Sequence, residues 1–328
     1  MDTAVPLPPP HGLFPEDEVA RTAYARLLPL EDQAELAIRI LGQLLIQAPS
    51  SEGRTFVANE INNCTTDQET VELGEARLEQ LVQYFKGLRA LPRLPDLYLD
   101  DIDLYRDETR FEVSVVAPTN YLEAKKQALV RDNYRCMLSG VVDMEAVEIL
   151  PWLEGELAAK QETIGCTECC YIFPKLEGYP DVEDSGFLHT SSLYTLAHLF
   201  GGNDESGLTG TGIHNLRNVL TLDAGICPAF RDLIISLDPT GGAENEYKVV
   251  RTYEPYGRNF PKVVRFSSTS PDLPLPDPRL LAFHAACTRV VQLSGARSFI
   301  NRLLFTATDI PLGELLGWPS EGESMGAF

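Results

Sequence analysis

Two prolines close together set the first boundary of this chain. Pro92 and Pro95 sit in the stretch LPRLP over 91–95. Proline lacks the N–H that a helix interior needs, and it disfavours helical geometry in the residue before it. The sequence ahead of this stop is helical in pattern. Leu36, Ile40 and Leu44 recur at helical spacing, with Ala37 and Leu41 one step over, so a helix is predicted across 16–47. Pro49 to Gly53 breaks that pattern, and a second helix is predicted over 66–90 on the apolar face of Leu73, Leu78, Leu81, Val82 and Phe85. The first 95 residues therefore read as a helical N-terminal unit over 16–95, preceded by a loose Pro-rich arm over 1–15.

The pattern changes beyond the stop. Residues 96–119 read as an acidic linker, carrying Asp96, Asp100, Asp101, Asp103, Asp107, Glu108 and Glu112. Asn120 is placed to cap a helix running to about Arg131. The middle is rich in loops and short strands: 134–140 with a turn at Ser139 and Gly140, 168–174 closed by Pro174, and 214–222. Residues 191–200 read as a short helix, and 229–237 as a short helix or strand. Alternation across 246–266 predicts a β-hairpin. A single long helix is predicted from 278 to about 304, with His284 on its apolar side as a core histidine, and a tail follows over 305–328.

Charge narrows the function classes. The 48 acids and 27 bases give a formal net charge of −21, and no third of the chain is basic. Residues 1–120 carry −11, residues 121–230 carry −9 and residues 231–328 carry −1. Binding to nucleic acid draws on Lys and Arg that neutralise phosphates, so no nucleic-acid partner is expected. The most apolar run, 36–46, contains Arg39 and Gln43, so no membrane span is expected. The N-terminus has neither the basic region nor the apolar core of a signal peptide. With seven cysteines and no such signal, reduced thiols are expected, in a soluble cytoplasmic protein of 328 residues.

Four blocks of the sequence carry a resemblance: RDNYRCMLSG at 131–140, TECCYIFP at 167–174, IHNLRNVLTL at 213–222 and LLAFHAACTRVVQLSG at 280–295. In this order and spacing they resemble the fungal HNH-endonuclease-like proteins, over about residues 66–300. The resemblance implies an α+β fold: the helical unit packs on an HNH-like core of the ββα-metal type over 120–304, completed by a C-terminal hairpin and helix. In such nucleases a His at the end of the first strand activates water. An Asn fixes the loop, and a second His on the helix holds a divalent metal. Here the base position is Tyr171, which titrates near ~10 and is a poor base at neutral pH. The Asn is kept as Asn218, and the metal-His position aligns with Cys227, which suits Mg²⁺ poorly. The site is degenerate, and no metal is expected there. Elsewhere, Cys166, Cys169 and Cys170 give half of a zinc-ribbon spacing and Cys136 with Ser139 a broken knuckle, short of the four ligands of a structural zinc.

A scaffold can outlast its chemistry. Without base and metal, the cleft is expected to be lined by Tyr171, Cys170, Ile172, Phe173, Asn218 and Cys227, the make-up of a ligand pocket. The preferred expectation is a cofactor-free cyclase or isomerase acting on an apolar natural-product intermediate. It resembles the norbornene-forming Diels–Alderase type of fungal terpenoid pathways. Tyr171 would donate to a substrate carbonyl and Asn218 would orient Tyr171 or a water. Lys175 and Arg217 would polarise or anchor a carboxylate, and Cys170, Phe173 and Cys227 would contact substrate. Each residue also has an ordinary reading: Tyr171 as core packing, Asn218 as a loop-fixing side chain, Lys175 and Arg217 as solvated surface. Two alternatives stand beside the enzyme. One is a non-catalytic interaction or regulatory protein whose acidic surface meets a basic partner. The other is a residual metal-dependent nuclease.

Overall fold

A computed structural model describes residues 4–90, 116–160, 162–174, 196–202, 208, 210–252 and 261–305. It is a mixed α+β protein. The expected acidic linker and C-terminal tail fall almost wholly outside the described residues, as does Lys175.

The N-terminal region is helical, with more breaks than periodicity suggests. Helix α1 spans Glu18–Leu27 and α2 spans Glu35–Gln47. The single helix expected over 16–47 is divided at a 3-10 turn, Leu28–Leu30, because Pro29 cannot donate within a helix. Helix α3, Ser51–Asn63, falls where the sequence reading placed a break. The Ser50 hydroxyl caps it by accepting from the Gly53 N–H at 3.0 Å. Helix α4, Asp67–Ala90, matches the expected second helix. The Pro-rich arm is pinned rather than loose. The Val5 N–H donates to the Leu293 carbonyl at 3.1 Å, the Tyr24 hydroxyl donates to the Pro8 carbonyl at 2.7 Å, and Leu7 and Phe14 are buried.

Helix α2 crosses α4 at a glycine. A Cβ built on Gly74 would lie 2.5 Å from the Ala37 carbonyl oxygen, closer than packing allows. Gly74→Ala is therefore expected to cost about 2 kcal/mol of stability through overpacking, although Ala favours helix by about 1 kcal/mol. Gly155, in α7 (Pro151–Lys160), meets nothing within 4 Å, so Gly155→Ala should stabilise by about 0.5–1 kcal/mol. Urea midpoints of the two variants, shifting in opposite directions, check both.

Helix α5, Tyr121–Arg131, starts where expected: the Asn120 side chain caps it by accepting from the Glu123 N–H at 3.0 Å. After it come β1 (Val142–Asp143), α6 (Met144–Ile149), α7 and β2 (Ile164–Gly165), with β1 and β2 parallel. Next come β3 (Thr167–Tyr171) and β4 (Val219–Asp223), paired antiparallel with Thr167 opposite Asp223 and Tyr171 opposite Val219. A short helix α8, Cys227–Arg231, follows β4 and packs on β3, while α5 packs on both strands. Strands β5 (Ile235–Pro239), β6 (Glu246–Arg251) and β7 (Val263–Arg265) form an antiparallel meander, one strand more than the expected hairpin.

The expected long C-terminal helix is two helices, α9 (Pro278–Ser294) and α10 (Ala296–Phe305). Gly295 divides them in the left-handed conformation, φ 84°, that ends helices and suits glycine. Helix α9 packs on α2 on one side and β5 on the other, so the N-terminal helices and the strands share one core. His284 sits inside that core, as expected from its place on the apolar side.

Candidate functional site

The end of β3 and the turn leading into β4 meet at one point. Tyr171 is the last residue of β3, and its hydroxyl lies 2.6 Å from Nδ1 of His214. His214 ends a 3-10 turn, Gly210–His214, and a second turn, Leu216–Asn218, delivers the chain into β4. The register of Tyr171 opposite Val219 brings this turn alongside the strand end. The Tyr121 ring, at the start of α5, stacks on Tyr171 with centroids 6.2 Å apart.

Tyr171 is 0% exposed, and burial pushes its hydroxyl pKa far above the ordinary value. It stays protonated, so it donates and Nδ1 of His214 accepts. A neutral imidazole in that state carries its proton on Nε2. His214 is only partly buried. Of the pair, the histidine is the member with exposed surface. Glu123, in the first turn of α5, is held below the usual carboxylate range, chiefly by the Thr119 N–H it accepts at 2.7 Å.

Asn218 is spent on the backbone. Its Nδ2 donates to the Phe173 carbonyl at 2.8 Å and the Ile213 carbonyl at 3.0 Å, while Oδ1 accepts from the Phe173 N–H at 2.8 Å. This is the loop-fixing role; the residue that meets the Tyr171 hydroxyl is His214, and the expectation that Asn218 orients it is corrected to that extent. Tyr84 of α4 adds a second clamp, its hydroxyl donating to the Ile172 carbonyl at 2.7 Å.

The expected cleft lining is core. Cys170, Ile172, Phe173 and Cys227 are all buried. Phe173 packs on Tyr84 and Phe283, with centroids 5.9 and 6.1 Å away. The Cys170 thiol points at the Cys227 carbonyl, 3.8 Å away, and burial pushes the Cys227 thiol pKa up, which keeps it protonated and inert. Side chains packed this way do not present a surface to a ligand, so Cys170, Phe173 and Cys227 are corrected from substrate contacts to packing residues. Arg217 is exposed, and its carbonyl accepts from the Asp277 N–H at 2.8 Å.

No protein-family profile matches the chain, and neither a curated protein nor a solved structure matches it.

Metal ligation finds no footing among the described residues. The Cys136 sulfur accepts from the N–H groups of Leu138 and Ser139 at 3.4 and 3.3 Å, the local geometry of a metal knuckle. Ser139 stands where a second thiol belongs, and no cluster of three or more His, Cys, Asp or Glu side chains among the described residues could hold an ion. These residues do not fit a metal centre. His214 was overlooked as a candidate. The available signal was its place in the IHNLRN block, four residues ahead of Asn218.

Proposed function

We propose that this protein is a cofactor-independent cyclase or isomerase of an apolar intermediate, of the pericyclic, Diels–Alder type. The observation that carries the reading is the Tyr171 hydroxyl 2.6 Å from Nδ1 of His214. Tyr171 is a positioning residue that fixes the imidazole orientation and tautomer. The Nε2–H of His214 is the group that donates to a substrate carbonyl, polarising it as the new bonds form. The Tyr121 and Tyr171 rings supply a rigid aromatic backing. The strand–strand–helix order of β3, β4 and α8, with Asn218 fixing the loop after β3, supports a scaffold of HNH descent. A terpenoid natural-product intermediate remains the preferred substrate class.

The test is turnover of polyene and diene aldehydes by the pure protein against the uncatalysed background. The wild type should accelerate product formation. His214→Ala should lose about 10²–10³-fold of the rate, the span for removing a single preorganised donor to a polarised carbonyl oxygen. Tyr171→Phe should lose about tenfold and alter the pH profile, because Nδ1 is left without its donor. No acceleration and no ligand-induced thermal shift would sink the proposal, as would full activity in His214→Ala.

A further inference from the structure

Two buried arginines meet the β3–β4 pair, and they are satisfied differently. Arg131 turns the guanidinium edge formed by Nε and Nη2 onto both oxygens of Asp132, at 2.7 and 2.8 Å. Arg231, the last residue of α8, has the same edge unfilled. Its Nη2 lies 3.2 Å from Oε2 of Glu168 on β3, an ion pair out of line for a hydrogen bond. Neither Nε nor Nη2 has a hydrogen-bond partner among the described residues. Arg231 is 5% exposed, and bulk solvent does not reach these two atoms.

A second orphan stands in the same neighbourhood. The Tyr121 hydroxyl, at the start of α5, is buried and also lacks a partner among the described residues. Tyr121, Arg231 and Glu168 act on one another electrostatically, and α5 and α8 both pack on β3. Burial raises the hydroxyl pKa well above its ordinary value, so Tyr121 keeps its proton and can donate. Buried polar groups are nearly always hydrogen-bonded. Three unfilled donors around one ion pair call for an occupant.

The donors select its chemistry. All three are N–H or O–H groups, so the occupant must accept. Nε–H and Nη2–H run parallel, a fork that matches the two oxygens of a carboxylate. The neighbouring Cys227 thiol is kept protonated by burial and adds no competing anion. With Arg231 and Tyr121 both buried, only a small molecule fits. Glu168 is the partly exposed member of the cluster and the one nearest solvent.

We propose that Arg231 and Tyr121 form a binding site for a small carboxylate such as acetate, held bidentately by the Arg231 fork and capped by the Tyr121 hydroxyl. Glu168, already off the hydrogen-bond line, yields the edge to the ligand. The site goes beyond the cyclase reading: it does not use the His214 donor, and its occupancy is measured without turnover.

The test follows the urea midpoint of the full chain against sodium acetate at constant ionic strength, with sodium chloride and acetamide as controls. Binding to the folded state raises the midpoint saturably. Acetate should do so. Chloride lacks the second oxygen and acetamide lacks the charge, and each should bind about tenfold more weakly or worse. Arg231→Lys keeps the charge but loses the fork and should weaken acetate about tenfold. Tyr121→Phe keeps the ring that stacks on Tyr171 and should weaken acetate about fivefold. Its lost hydroxyl has no partner, so the ligand-free variant should be as stable as wild type and serves as the test if Arg231→Lys does not fold. Glu168→Gln removes the competing carboxylate and should tighten acetate about threefold. No stabilisation by acetate overturns the proposal, since the fork then holds water only. Equal stabilisation by chloride overturns it too, as does undiminished acetate binding in Arg231→Lys or Tyr121→Phe, or weakened binding in Glu168→Gln.

Discussion

Replacing Arg131 with methionine is expected to remove about 3–5 kcal/mol of folding stability, a large part of the roughly 5–15 kcal/mol that holds a typical domain folded. Arg131 is fully buried at the end of α5. Its Nε and Nη2 grip both carboxylate oxygens of Asp132 at 2.7 and 2.8 Å. Nη1 donates to the Leu216 carbonyl at 2.8 Å and Nη2 to the Val219 carbonyl at 3.0 Å, which ties α5 to the turn before β4. Its own carbonyl accepts from the Thr269 N–H at 3.0 Å. Methionine fills the volume but strands the Asp132 carboxylate, whose side chain is 2% exposed, and takes the guanidinium donor from the Val219 carbonyl, while the Leu216 carbonyl keeps the Val219 N–H. Adding Asp132→Asn should recover part of the loss, because the stranded charge is then gone. Arg131→Lys should lie between, since an ammonium cannot span the carboxylate and the carbonyls at once. Urea unfolding of the single and double variants measures all three. A loss below about 1 kcal/mol in Arg131→Met would show that the network does not bear on stability.

Such a hub explains what the sequence could and could not reveal. Helix α4 was legible because its apolar residues recur at helical spacing and nothing interrupts them. Helix α3 was not. Ser50 and Gly53 look like chain breakers, yet Ser50 caps the helix, and Gly53 is where the Phe200 carbonyl lies too close for any Cβ. The same residue types serve as breakers and as caps, and packing decides between them. Pro29 and Gly295 illustrate the reverse error: local breaks hidden inside strong periodic patterns.

Less of the candidate site was legible. Tyr171 and Asn218 were found as positions, but their roles depend on register. His214 meets Tyr171 across 43 residues only because Tyr171 pairs with Val219 and two short turns intervene. The cleft lining was misjudged for a related reason. Strand alternation assigns Cys170 and Phe173 to opposite faces, but it does not reveal that Tyr84 and Phe283 cover Phe173 while α8 covers Cys170.

Acid should destabilise this protein through His284 well above the range where most carboxylates titrate. The imidazole is fully buried, stacked on Phe230 at 3.8 Å with an interplanar angle of 1°. Nε2 donates to the Phe230 carbonyl at 3.1 Å, and Nδ1 has no hydrogen-bond partner. Burial opposes the charged form and lowers the pKa from 6.5 to about 3, against a smaller opposing contribution from the Phe230 carbonyl. A depressed folded-state pKa means that the unfolded chain takes up a proton first as pH falls. The stabilisation is present in full above the unfolded value of 6.5 and is lost as pH drops from there toward 3. The loss from this residue amounts to about 2 kcal/mol by pH 5 and about 4 kcal/mol by pH 3. Asp277, whose pKa is lowered, adds loss of the same sign at lower pH. Glu60 and Glu145, raised by burial, act in the opposite direction. Comparing urea stability of wild type and His284→Leu across pH 8 to pH 5 cancels those carboxylates. Leucine removes the titrating ring and the donor to Phe230, so the variant should start lower at pH 8 and fall by about 2 kcal/mol less on acidification. Parallel pH profiles for the two proteins would rule out a neutral, buried His284 as the source of the acid sensitivity.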